Sequence, residues 1–278
     1  MHTSQASSSY RDGFLPFGAA PDEPLAAYGS RPLRDIPLTE DLGSGEQGFC
    51  VYGQLIYDLS SEQTRVPPRR EVLLRLLTGQ GVALAPASFL PRLINGRMNA
   101  QIDLWVLRRT LEYLARDGAA AERININICQ QTVQSFKPFY ESLCTKMSLY
   151  SIAPDRLSLE ISERDAFENV VAVSNIASRL KDRGVRTVLD SFGNGVYSFL
   201  ILRRLALDAI KIDRRLVRAA AHEQHEEKVI HQIADIARQL GIGVIAAGVE
   251  SKRILDRVRA LGIQTAQGYA LAMPERLI

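Results

Sequence analysis

Cysteine is scarce: Cys50, Cys129 and Cys144 are the 3 in a chain of 278 residues. So few thiols, so widely spaced, exclude a disulfide framework and a zinc knuckle. They suit a reducing compartment, where a buried thiol acts as a small hydrophobe. An excess of one charge is lacking too. With 34 basic against 31 acidic side chains the formal charge is only +3, which argues against a nucleic-acid polymer as partner. No apolar run reaches the ~18–20 residues that span a bilayer. Met1 to Tyr10 is Ser-rich and lacks the apolar centre of a signal peptide. A soluble, cytoplasmic protein that does not engage a membrane is expected.

What the chain does have is ordinary globular composition, 46% hydrophobic and 23% charged, enough to bury a large core. Residues 1–46 mix Ser, Gly, Pro and acidic residues without sustained periodicity and are expected to be a flexible or irregular leader. Residues 47–278 read as one folded domain. From Phe49 onward, short β-rich runs alternate with amphipathic stretches. The runs are FCVYGQLIYDL, REVLLRLL, RININI, DRLSLEI, VRTVLD, DAIKI, IGVIAAG and QTAQGYALA. Helical spacing of apolar residues predicts helices over Asp103–Arg116, Val170–Lys181 and Val229–Leu240. Near-continuous hydrophobic strands fed by helices are the mark of a buried parallel sheet. Eight strands in this length imply an α/β fold closed as a TIM-like (β/α)8 barrel. The first two runs are joined by SSEQTRVPPR with no helix, so a hairpin and an antiparallel first strand are expected.

In such barrels the chemistry gathers at the carboxyl ends of the strands. Here those ends carry Asn127, Glu160 with Glu163 just beyond, Asp190, Lys211 with Asp213, Glu250 and Gln267, and the second run adds Glu71 and Arg75. Several carboxylates, two amides and a lysine form an oxygen-rich set that suits Mg²⁺ or Mn²⁺ far better than zinc. A divalent cation in turn suggests a phosphate-bearing ligand.

These residues, taken with their neighbours, resemble the EAL-domain family of bacterial cyclic di-GMP phosphodiesterases and receptors. Tyr52-Gly53-Gln54-Leu55-Ile56-Tyr57-Asp58-Leu59 resembles the Y-x-Q-P-I-x-D-L opening, and Glu71-Val72-Leu73-Leu74-Arg75 resembles E-A-L-L-R with Val for Ala. Pro86 to Pro91 resembles P-x-x-F-I-P, Asn125 to Cys129 the V-N-L-S strand, and Leu159 to Glu163 the L-E-I-T-E strand. Asp190-Ser191-Phe192-Gly193 resembles D-D-F-G, Lys211 to Arg214 resembles K-I-D-R, Ala247 to Glu250 resembles E-G-V-E, and Gln267-Gly268-Tyr269 resembles Q-G-Y. The resemblance implies the same barrel with its antiparallel first strand.

It also implies a two-metal site, in which paired ions polarise the scissile phosphate and generate the attacking hydroxide. Glu71, Asn127, Glu160 and Asp190 would hold the first ion, Mg or Mn. The second relies on acids where this chain has Ser191 and Ala247. A hydroxyl is a weak neutral ligand and an alanine is none, so the second metal site is expected to be lost. Lys211 and Glu250 would be catalytic only if turnover survives, with Glu163 or Glu250 compensating. Gln54, Arg75, Asp213 and Gln267 are the expected ligand-binding residues, Arg75 being suited to bidentate phosphate contact. The resemblance therefore points to a degenerate EAL domain like those of type IV pilus regulators of the FimX kind, binding cyclic di-GMP without cleaving it and signalling to a protein partner, in that group a PilZ-type protein. An active Mg/Mn-dependent phosphodiesterase producing linear pGpG, and a nucleotide-independent interaction module, are the alternatives. The apolar stretch Gly195–Leu205 offers a homodimer surface or buried core in equal measure.

Other features read as ordinary structure. Gly193-Asn194-Gly195 imitates a dinucleotide fingerprint, but Ser198 stands at the third glycine position. His222, His225 and His231 sit among Glu223, Glu226 and Glu227 with the wrong spacing for zinc, as on a solvated helix face. Arg108 and Arg109 are balanced by Glu112, and Trp105 is expected in the core.

Overall fold

A computed structural model of the chain describes residues 48–60, 67–78, 81–90, 97–116, 121–193 and 198–278. The expected leader lies outside the described residues. Along them run the strands β1 Gly48–Asp58, β2 Arg69–Leu77, β3 Ala83–Leu84, β4 Arg123–Asn127, β5 Leu157–Ser162, β6 Arg186–Phe192, β7 Ala209–Ile212, β8 Gly243–Ala247, β9 Thr265–Gln267 and β10 Glu275–Arg276. The described residues divide into two compact units, those of 48–50 and 74–90 in one, and those of 51–73 and 97–278 in the other.

In the smaller unit the end of β2 turns back on β3, with Leu76 opposite Leu84. A short helix, α1 Pro86–Phe89, follows with proline in its first turn, where a missing N–H costs nothing. Phe89 is fully buried, its ring 5.7 Å from that of Phe49.

The larger unit is the barrel. Strands β2, β4, β5, β6, β7, β8 and β9 pair in parallel in that order. β1 runs antiparallel to β9, with Tyr57 opposite Ala266, and pairs with β2 to close the ring. The antiparallel first strand expected from the helix-free link between the first two runs is present. Inside the barrel Ile56, Val188, Ala209 and Ile245 form an apolar layer.

Around it lie α2 Arg97–Leu114, α3 Gln130–Gln134, α4 Phe136–Leu149, α5 Glu163–Glu168, α6 Val170–Arg183, α7 Ser198–Arg204, α8 Arg214–Ala220, α9 Gln224–Gln239 and α10 Lys252–Ala260. Apolar residues at helical spacing fix the inner faces. On α6 these are Val173, Ile176, Ala177 and Leu180, on α9 Ile230, Ile233, Ala234 and Ala237, all buried. Gly184 ends α6 in the left-handed conformation, φ 83°, which a side chain would strain. Trp105 is buried on α2, as expected of a core residue. Helices α2 and α9 begin earlier than the apolar spacing predicts, because their first turns are polar and carry no periodic signal. Among the described residues, no helix is long and apolar enough to cross a membrane.

Candidate functional site

Strand alternation sends every second side chain into the barrel, and on several strands the inward residue nearest the carboxyl end is polar. These side chains meet around one ammonium. Lys211 Nζ donates to Glu71 Oε2 at 2.6 Å and to Glu160 Oε2 at 3.0 Å, and stands 3.7 Å from Asp190 Oδ1. The second oxygens of both glutamates are held as well. Asn127 Nδ2 donates to Glu71 Oε1 at 2.8 Å, and Asn125 Nδ2 to Glu160 Oε1 at 2.7 Å. Gln267 Nε2 bridges Glu71 Oε2 at 2.8 Å and Gln54 Oε1 at 3.1 Å, while Gln54 Nε2 donates to the Ala272 carbonyl at 3.0 Å.

Burial sets the electrostatics. Glu160 is 1% exposed and Lys211 4%, so Coulomb interactions between them are strong and unpaired charge is costly. Burial alone would weaken the Lys211 ammonium, but Glu160, Glu71 and Asp190 outweigh it and hold its pKa well above the ordinary value. Burial also works against ionised Glu71, yet the Lys211 charge and the bonds from Lys211, Asn127 and Gln267 bring it below its usual value. Glu160 goes the other way: burial pushes it up to about 7 against the pull of Lys211, with the charges of Glu71 and Asp190 adding to the rise. One ammonium thus fully compensates only one of two buried glutamates.

The β6 strand carries a local irregularity at this point. Its register with β7 shifts between Leu189 and Phe192, and Ser191 adopts φ 57°, a left-handed conformation uncommon for a non-glycine residue. A bulge re-aims side chains at a strand end. Here Ser191 Oγ donates to Asp190 Oδ2 at 3.2 Å. Across the barrel Ala247 closes β8 opposite Gln267 and brings no heteroatom on its side chain.

The other expected site residues have partners of their own. Glu250 is exposed and pairs with Arg218. Asp213 caps α8, accepting from the Arg215 N–H at 2.8 Å and from its guanidinium at 3.1 Å. Glu163 is buried at the start of α5. Arg75 belongs to the smaller unit, 3% exposed, with Nη1 donating to the Leu74 carbonyl at 2.8 Å. Two residues that sequence reasoning passed over also matter. Asn125 shares the inward face with Asn127, a signal present in the alternation of Arg123–Asn127. Asp103 has no such signal: it is an acid on the buried side of α2, accepting from the Cys129 N–H at 2.8 Å and the Thr132 hydroxyl at 2.6 Å, and so anchors the loop that leaves β4.

The donor chemistry of this cluster, three carboxylates and an amide, is that of a hard divalent-cation site. In this structure the carboxylates converge on the Lys211 ammonium. Among the described residues, no three His, Cys, Asp or Glu side chains group as a metal site by themselves.

The fold and the site together define a TIM-like barrel with one antiparallel strand and an acidic, lysine-centred carboxyl end. The family profile described as "EAL domain" matches residues 38–274, and the chain belongs to the EAL-domain family. Cyclic di-GMP phosphodiesterase PdeB of Shewanella oneidensis is 30% identical over 84% of this chain and 27% of its own length. Cyclic di-GMP phosphodiesterase PdeF of Escherichia coli is 30% identical over 75% of this chain and 28% of its own. The chain therefore spans little more than a quarter of these relatives. Among solved structures, the FimX EAL domain of Pseudomonas aeruginosa bound to c-di-GMP superposes with a TM-score of 0.74 at 24% identity, covering 82% of this chain and 90% of that one. The PaMucR phosphodiesterase in complex with c-di-GMP gives 0.73 at 26%, covering 81% and 91%.

Proposed function

We propose that this EAL domain binds cyclic di-GMP as a signalling receptor and that its hydrolysis is lost or vestigial. The observation that carries the reading is the pairing of a kept half-site with a dismantled one. Glu71, Asn127, Glu160 and Asp190 remain around Lys211, while Ser191 and Ala247 stand where the resemblance expects acids. The four retained residues would hold one Mg²⁺ or Mn²⁺ ion, which when bound supplies positive charge to a phosphate. Activation of a water requires a second ion or an equivalent base, and neither residue 191 nor residue 247 offers one. Glu250, the nearest substitute in sequence, is engaged with Arg218.

Gln54, Gln267 and Arg75 would bind the dinucleotide. The two glutamines hold each other and Glu71 at one end of the barrel, as residues pre-set for recognition are. Asp213 would support the floor through its cap on α8. The output would pass to a protein partner, of the PilZ type if the likeness to FimX extends so far. Homodimerisation is supported by Phe167, Val171, Phe199 and Leu200, exposed apolar residues of α5, α6 and α7. The free cysteines agree with a reducing, cytoplasmic location.

The names of the relatives favour a second reading, an active Mg/Mn-dependent phosphodiesterase releasing pGpG. Comparing wild type with the double variant Ser191→Asp, Ala247→Glu separates the two. With Mn²⁺ and cyclic di-GMP, the variant is expected to form linear product about 10²-fold faster or more, the scale of a restored base. Wild type already cleaving at the variant's rate would establish the enzyme instead.

A further inference from the structure

We propose that the amino-terminal mouth of the barrel is a second binding site, for a small phosphate-bearing anion, at the opposite end from the lysine cluster. The inference rests on three arginines and is independent of the cyclic di-GMP reading. Arg69, Arg123 and Arg186 are the first residues of β2, β4 and β6. Alternation turns all three inward. Arg69 precedes Glu71 by two positions, and Arg123 precedes Asn125, which reaches Glu160 inside the barrel. Arg186 precedes Val188 of the interior apolar layer. The strand register sets Arg69 directly beside Arg123. One layer below the apolar residues, three guanidiniums thus share the mouth.

Among the described residues, little neutralises them. The side chains of Arg69 and Arg186 make no hydrogen bond or ion pair among the described residues. Arg123 has one partner, Asp155 at 3.5 Å, whose side chain is 59% exposed, and an exposed pair of that kind is weak. Two carboxylates act on Arg69 from a distance, those of Asp58 and Glu160. Asp58, on the exposed end of β1, already accepts two hydrogen bonds from Ser60, and Glu160 is held by Lys211 and Asn125. Arg69 feels burial and then the charges of Arg186 and Arg123, all three lowering its proton affinity. Each of the three arginines is only partly buried, so a solute entering from that end can reach them.

Like charges confined to one mouth repel unless an anion joins them. Guanidinium forks converging from three strands match a tetrahedral oxyanion, which accepts bidentate hydrogen bonds from each. With no divalent cation bound, the lysine cluster at the other end, with three carboxylates to one ammonium, repels the same ligand. In that state the barrel is polarised along its axis, and a free anion is directed to the arginine end.

Calorimetric titration of the full chain with inorganic phosphate, against sodium chloride at matched ionic strength, tests this directly. Wild type is expected to bind phosphate saturably. The double variant Arg69→Gln, Arg186→Gln should lose about ten-fold or more in affinity, the scale of one charge-assisted hydrogen bond. As a measurement needing no variant, phenylglyoxal labelling read by mass spectrometry should show Arg69 and Arg186 protected by phosphate while exposed Arg183 is not. Absence of saturable binding beyond the chloride control, undiminished binding by the double variant, or equal labelling with and without phosphate would overturn the proposal.

Discussion

Lys211 is the residue on which the buried carboxylates depend. Lys211→Met removes the only ammonium within reach of Glu71 and Glu160 among the described residues, and breaking a buried pair by deleting one partner costs about 3–5 kcal/mol. Urea unfolding in the presence of a chelator should show a loss of that size, and added Mg²⁺ or Mn²⁺ should recover part of it. An unchanged midpoint would mean that the glutamates are not ionised together in the fold. Asp103 gives a pH-dependent test remote from the lysine. Burial holds its pKa above the ordinary 3.8, against the bonds from Cys129 and Thr132. A raised carboxyl keeps its proton longer in the folded state than in the unfolded one. Its contribution to stability is therefore full below the unfolded pKa and is lost as pH rises through the folded one. Asp103→Asn retains an oxygen for both donors and cannot ionise, so it should flatten that part of the stability profile measured by thermal unfolding.

At the level of elements, strand ends and their turns decide where the site residues stand. Gly268 follows β9, and a Cβ there would lie 2.1 Å from the Val249 carbonyl oxygen and 2.3 Å from its nitrogen. The two segments are tied by the Val249 N–H to the Gln267 carbonyl at 3.0 Å. Backbone cannot yield as a side chain does, so Gly268→Ala should destabilise by about 3 kcal/mol or more, measured by chemical denaturation, and displace Gln267 from Glu71. The β6 bulge bears on the restoring substitution as well. Residue 191 already has a left-handed backbone, which aspartate tolerates better than most residues, so Ser191→Asp should fold without rearranging the strand. Most of the barrel was legible in the sequence, because strands buried on both faces read as unbroken apolar runs and a helix-free link betrayed the reversed β1. The start of α6 at Val170 was legible too, but α2 and α9 begin six and five residues before the predicted Asp103 and Val229, where the residues carry no sustained apolar period. At the site, position at a strand's carboxyl end identified Asn127, Glu160, Asp190, Lys211 and Gln267 as neighbours, and the resemblance of Glu71 to Arg75 to E-A-L-L-R added Glu71. Strand position did not foretell the local partners of the residues after a strand: Glu250 pairs with Arg218 and Asp213 caps α8. Asn125 was within reach of the same alternation that exposed Asn127, and Asp103 was not, because contacts across the chain determine its role.

Among the described residues, the barrel carries the lysine cluster at one end and three arginines at the other, and Phe167, Val171, Phe199 and Leu200 of α5, α6 and α7 are exposed apolar residues. If Phe199 and Leu200 on α7 mediate a homodimer, Leu200→Glu should convert dimer to monomer in sedimentation velocity while leaving the unfolding midpoint nearly unchanged, as exposed substitutions alter stability by only about ±0.5 kcal/mol. A monomeric wild type would remove the dimer from the account. The receptor reading itself is tested most directly by incubating the unmodified protein with cyclic di-GMP and Mn²⁺, then separating free ligand, bound ligand and linear pGpG by chromatography. The account predicts bound, intact dinucleotide and little or no pGpG over many equivalents of time. Rapid conversion to pGpG, or no retained dinucleotide at saturating concentration, would contradict it.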